Sequence, residues 1–164
     1  MSSRRPAMCE YCGCQSIGAI GELTREHEAV VNLIGDVRTA AAHDDLAGMA
    51  ETARRIAAIL APHTQVEEVG LFPALTDEFP DHIAALRLQH RRVDAVLREA
   101  AERTPTDPAW PHRLHDALEM LREHILAEQD GVFPAALANL GPADWDSVDA
   151  VRTRAGSALS RITH

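Results

Sequence analysis

Basic residues are in short supply: 16 Lys and Arg face 25 Asp and Glu in 164 residues, a formal charge of −9. An acidic surface repels phosphate backbones and gives up the counterion release that drives nucleic-acid binding, so DNA and RNA are poor partners. Cysteine is scarce too, with three residues. At this length about two-thirds of the unfolded surface can be buried, so a core can form without disulfide staples. No apolar run approaches the roughly 20 residues needed to cross a bilayer. Arg4 and Arg5 lead into polar, cysteine-rich sequence instead of an apolar signal core. The expectation is a cytoplasmic chain with no membrane contact, a monomer or weak homodimer. β-Branched residues are scattered and no alternating run is bounded by hairpin turns, which leaves no case for strands. Aromatics make up only 4%.

What is plentiful is histidine, nine residues in all, and histidine is the side chain most often recruited as metal ligand or proton carrier near neutral pH. From about Ile17 to Ala42, residues Ile20, Leu23, His27, Val30, Ile34 and Val37 fall at helical spacing. A second helical segment runs from about Asp45 to Gly70, with Pro62 expected to kink it and the turn Gly70-Leu-Phe-Pro73 to end it. In the third, Ile83, Leu86, His90, Val93 and Leu97 step by three and four, the seam of a bundle helix. After the break Thr104–Pro108, where Asp107 can cap and Pro108 can open a helix, Leu114, Leu118, Leu121, Ile125 and Glu128 define a fourth inward line. Gly131 and Pro134 are expected to stop it. A fifth, short helix is expected from about Pro142 to Arg161.

The chain also repeats itself. Residues 63–75 read HTQVEEVGLFPAL and residues 124–136 read HILAEQDGVFPAA, so His, Glu, Gly, Phe, Pro and Ala recur at an offset of 61. His27 and His90 recur at 63. The class is therefore all-α: an up-down-up-down four-helix bundle of two pseudo-repeated hairpins, followed by the short C-terminal helix. Its expected divisions are a flexible Cys-rich segment at 1–16, the bundle at 17–140 and the C-terminal helix at 141–164.

His63 and Glu67 lie four residues apart, about 6 Å along a helix axis and on one face, as do His124 and Glu128. A single histidine on an apolar stripe is more often a hydrogen-bonded core residue than a ligand. Four buried imidazoles with two carboxylates are different, because without a metal they would leave a costly set of unpaired polar groups inside the bundle. Two hairpins packed face to face would converge His27, His63, His90, His124, Glu67 and Glu128 on a site for two metals about 3.5–4 Å apart. Imidazole with carboxylate suits iron, and also zinc, manganese or nickel. Two bridging carboxylates favour a redox pair of irons.

Glu26-His27-Glu28, His63-Thr-Gln-Val-Glu67 with Glu68 and Phe72-Pro73, Leu88-Gln-His90, and His124-Ile-Leu-Ala-Glu128 with Phe133-Pro134 resemble the hemerythrin or HHE cation-binding domain, over about residues 20 to 137. The resemblance implies a left-handed four-helix bundle with two non-heme irons, oxo- or hydroxo-bridged. In it His27, His63, His90 and His124 would be terminal ligands and Glu67 and Glu128 the bridges. Hemerythrins place a second histidine four residues from the first on the third helix. Here Leu86 and Asp94 hold those positions; Asp94, water or the sole tyrosine, Tyr11, could stand in, whereas His82 sits too near the helix start.

A carrier that binds oxygen reversibly relies on five imidazoles and one vacant position, so the loss of one weakens that reading. The expected function is handling of hydrogen peroxide, catalase-like or peroxidase-like. Peroxide would bridge the irons, with Glu68 or Asp94 moving protons. The alternative is reversible O2 or NO binding for storage or sensing. Cys9, Cys12 and Cys14 form a C-x-x-C-x-C cluster that is a mobile reduced tail, a partial zinc site or a redox accessory supplying electrons.

Overall fold

A computed structural model describes residues 13–159. Tyr11, Cys9 and Cys12, and with them the tyrosinate ligand and most of the cysteine cluster, lie outside the described residues. Every element within the described residues is helical. Helix α1 (Cys14–Ala42) and helix α2 (Leu46–Gln65) come first, followed by a π-helical turn at Val66–Leu71 and a 3-10 turn at Phe72–Ala74. Helix α3 (Pro80–Arg98) and helix α4 (Trp110–Ala127) follow, then a second π-helical turn at Glu128–Val132, helix α5 (Phe133–Asn139) and helix α6 (Pro142–Ala155). The four long helices form a ring, α1 on α2, α2 on α3, α3 on α4 and α4 back on α1, while α6 lies across the first π turn.

Local chemistry explains the ends. Asp45 accepts the Gly48 N–H at 2.9 Å and caps α2. Pro80 and Pro142 open their helices, where the missing N–H removes no bond. Gly141 N–H is taken by Asp144 at 3.0 Å, and Gly156, at φ 72, turns the chain out of α6. Asp107 accepts the Ala109 N–H at 2.9 Å, yet α4 starts at Trp110, so Pro111 and not Pro108 occupies the first turn.

Pro62 lies inside α2, and the second helical run ends around residues 70–73, in the 3-10 turn at Phe72–Ala74. The stop expected at Gly131 and Pro134 does not stop the chain, which stays helical through both to Asn139. In both repeats the proline follows a π turn, in which the Phe72 N–H reaches Glu67 O and the Phe133 N–H reaches Glu128 O, five residues back. A π turn is one residue wider than an α turn, so the following proline meets a ladder already shifted out of α register. At Pro134 the clash that would end an α-helix is thereby relieved and the helix continues to Asn139.

The core divides in two. Val30, Leu33, Ile34, Met49, Ile56, Val93, Leu97, Trp110, Leu114 and Leu118 pack at one level. Leu23, Val66, Leu71, Phe72, Ile83, Leu86, Phe133, Trp145, Val148 and Val151 pack at the other. On α1 the order Leu23, His27, Val30, and on α3 the order Leu86, His90, Val93, place a polar layer between the two. No helix among the described residues is long and apolar enough to cross a membrane.

Candidate metal centre

Each hairpin delivers a histidine from the middle of its first long helix and a histidine from the last turn of its second. The π turn that follows carries the glutamate inward: Glu67 and Glu128 are each completely buried. The rings of His27 and His63 sit 4.6 Å apart at 50°, and those of His90 and His124 sit 4.5 Å apart at 52°. The two halves are thus near copies, as the repeat in the sequence requires.

Glu67 Oε1 lies 2.8 Å from His63 Nε2 and 3.8 Å from His27 Nε2, while its Oε2 lies 3.1 Å from His90 Nε2. Glu128 Oε1 lies 2.7 Å from His124 Nε2 and 3.4 Å from His27 Nε2. Two sets of possible ligands follow, His27, His63, Glu67 and Glu128 on one side and His90, His124, Glu67 and Glu128 on the other, each with its donor atoms within 4.8 Å of one another. Both carboxylates belong to both sets. Both oxygens of Glu67, both of Glu128, both nitrogens of His27 and Nε2 of His124 are buried with no hydrogen-bond partner. Lone pairs converging without donors are expensive in a protein interior, and two shared cations would satisfy the carboxylate oxygens and the Nε2 atoms that face them. The donor set fits a pair of cations with imidazole and carboxylate ligands.

The protons tell the same story. Burial, then the Glu67 charge, pushes the Glu128 carboxyl up to about 8. Burial works to raise Glu67 as well, but the positive charge of His63 holds it well below the usual carboxylate range. His63 is lowered by burial yet raised further by Glu67 and Glu26, to about 10. His27, pushed down to about 4 by burial and by the His63 charge, stays neutral. Without cations the cluster must hold protons where ligand lone pairs point.

A second ring of partners orients these side chains. His63 Nδ1 donates to Glu26 Oε1 at 3.2 Å, His124 Nδ1 to Gln89 Oε1 at 2.7 Å and His90 Nδ1 to Glu68 Oε1 at 2.9 Å. Each such bond fixes a tautomer and leaves Nε2 as the inward lone pair. Glu26 and Gln89 stand at equivalent places, immediately before the first histidine of their hairpins. By the same symmetry Gln129 answers to Glu68; it lines a cavity beside His27.

Of the two candidate proton carriers, Glu68 touches a cluster residue. Asp94 is half exposed and pairs with Arg98 at 2.7 Å. Both line a cavity of about 310 Å³ bordered by His90 and His124. Leu86 is buried among apolar side chains. His82 is exposed and lines a separate cavity with Leu75, Phe79 and Ile83. Neither four-residue set contains Asp94 or His82. Cys14 opens α1, 13 residues before His27, about 20 Å along a helix axis.

Sequence reasoning passed over Glu26 and Gln89 as orienting residues, and Arg152 altogether. Glu26 and Gln89 each directly precede a first-helix histidine, a usable signal. Arg152 carries none, since it meets Glu26 from 126 positions away.

A helical bundle whose interior gathers imidazoles and carboxylates into two cation-sized clusters defines a class of metal-binding helical protein. The family described as hemerythrin HHE cation-binding domain matches residues 18–136, and the chain belongs to it. No curated protein and no solved structure matches the chain.

Proposed function

We propose that this chain holds two iron ions and disproportionates hydrogen peroxide. The observation that carries the reading is the sharing of Glu67 and Glu128 by two ligand sets, one of which borders a cavity that Glu68 and Asp94 also line. A bound iron pair supplies redox capacity: one peroxide gives up two electrons and two protons and leaves as dioxygen, and a second takes them up and leaves as two waters.

The chain's own residues do the rest. Glu67 and Glu128 would hold both cations and offset their charge, while His27, His63, His90 and His124 would supply neutral nitrogen. Glu68, which accepts from His90 Nδ1 and reaches solvent, would carry the protons from the first peroxide to the second. Asp94, on the same cavity wall, would exchange them with water. Val93, Leu97 and Leu121 line that cavity as well and limit the water beside the cluster.

Oxygen evolution from hydrogen peroxide by the iron-loaded chain, compared with His63→Ala and Glu128→Ala, tests this. Evolution well above that of free iron, lost in both variants, is expected; evolution no greater than that of free iron overturns it. Reversible O2 or NO binding is the second reading, since the same two donor sets would hold the cations for either chemistry. It predicts an adduct spectrum that appears with gas, disappears under vacuum and accompanies no turnover.

A further inference from the structure

We propose that Arg152, on a helix beyond the matched residues 18–136, is a positioning residue that acts through Glu26 on His63 and so sets the cation affinity of one half of the centre. The proposal rests on the metal-binding reading of the cluster.

Glu26 is 1% exposed. Arg152 grips it with both arms of its guanidinium, Nη2 to Oε1 at 2.7 Å and Nη1 to Oε2 at 3.1 Å. Ser157 Oγ donates to Oε2 at 3.1 Å. The remaining approach to Oε1 is taken by His63 Nδ1. A planar two-pronged grip fixes the plane of a carboxylate in a way a single contact does not. The plane in turn fixes the imidazole ring whose Nε2 faces Glu67. Arg152 is itself held, by Glu22 through Nε at 2.9 Å and by the Gly156 carbonyl at 3.1 Å.

The helix that carries Arg152 is seated as tightly. A Cβ on Gly70 would come 3.1 Å from Val148 Cα, so the glycine of the first repeat lets α6 lie against the π turn bearing Glu67. Its counterpart Gly131 has nothing within 4 Å. Gln15 Nε2 donates to Asp146 at 2.8 Å and to Asp149 at 2.7 Å, tying α6 to the start of α1. The other half has a looser brace: His90 leans on Glu68 at 2.9 Å, a partly exposed carboxylate that Arg87 approaches only at 3.9 Å. His124, the counterpart of His63, leans on Gln89, a neutral amide. The two cation positions are therefore inequivalent at their second-helix histidines: His63 is backed by a buried carboxylate held in a two-pronged arginine grip, His124 by an amide.

Titration of the full chain with Co(II) against a competing chelator, followed by the visible d–d spectrum, tests the proposal. The native chain is expected to bind two ions. Arg152→Leu is expected to weaken one of them by about 10-fold or more, the range typical for outer-sphere partners of metal ligands, and to alter the spectrum of that ion alone. Glu26→Gln should do the same, and the double variant should be no worse than the weaker single one, because both changes break one chain of contacts. Arg152→Lys, with the charge but not the fork, should fall between native and Arg152→Leu. Should Arg152→Leu fail to fold, Ser157→Ala takes its place and should weaken the same single ion by a few-fold. Additive losses, equal weakening of both ions, or unchanged affinities and spectra overturn the positioning role. A native chain that takes up no Co(II) overturns the metal-binding reading, and the positioning role falls with it.

Discussion

Phe133 lies flat against His27, with ring centroids 5.4 Å apart and planes 10° from parallel. Phe72 repeats the contact on His90 at 5.8 Å and 8°. Each phenylalanine follows the π turn of one hairpin and covers the first-helix histidine of the other, so the Phe-Pro of the repeat locks the hairpins together across the centre. Replacing Phe133 by alanine should destabilise the fold by about 3–5 kcal/mol, measured by denaturant unfolding. Phe133→Leu should cost less and still weaken cation binding, since His27 loses its flat support.

Stoichiometry would separate residues common to the two candidate sets from those found in one. His63 belongs to one set and His90 to the other, whereas Glu67 belongs to both. His63→Ala and His90→Ala should each leave about one cation per chain, and Glu67→Ala close to none. Metal analysis after gel filtration reads the difference. Two cations retained by Glu67→Ala would contradict the proposal that Glu67 serves both sets.

The cation-free protein should lose stability as pH rises. Glu128, raised to about 8 folded from 4.5, and His63, raised to about 10 from 6.5, both bind more protons in the folded chain than in the unfolded one. Their contribution is complete at low pH and is lost between about 4.5 and 8 for Glu128 and between about 6.5 and 10 for His63. His27, lowered to about 4, works in the opposite sense, but only below about 6.5. The Tm of cation-free protein should therefore fall from pH 7 to 9. Bound cations replace those protons, so loaded protein should show little of this fall. A cation-free Tm that rises over the same interval would refute the assignment.

Glu68 and Asp94 can be told apart by turnover. Glu68 accepts from His90, whereas Asp94 pairs with Arg98 at the rim. Glu68→Gln should lower peroxide disproportionation by about 10-fold or more, within the usual range for a proton carrier, and Asp94→Asn by no more than a few-fold. Equal losses would place proton transfer on both.

His27, His63, His90, His124, Glu67 and Glu128 were legible before any coordinates, because a helix turns a spacing of four into a shared face and the repeat doubles the signal. Gly131 and Pro134 read as a stop for an equally local reason: proline ends an α-helix by clash and by a missing donor. Nothing in the residue pattern announces that the turn ahead of Pro134 is π-helical. Asp94 stands one turn beyond His90, and helical spacing alone offers it as a neighbour of the cluster. Where its carboxylate turns depends on Arg98 beside it.

The amino-acid order alone determined the helices, their inward faces and the chemistry of the cluster, since these follow from periodicity and side-chain type within a few residues. Which atoms orient that cluster was decided by tertiary packing. Arg152 reaches Glu26 only because α6 settles on a glycine left bare for it, and contacts between segments so far apart in the chain exist only once the whole interior has closed.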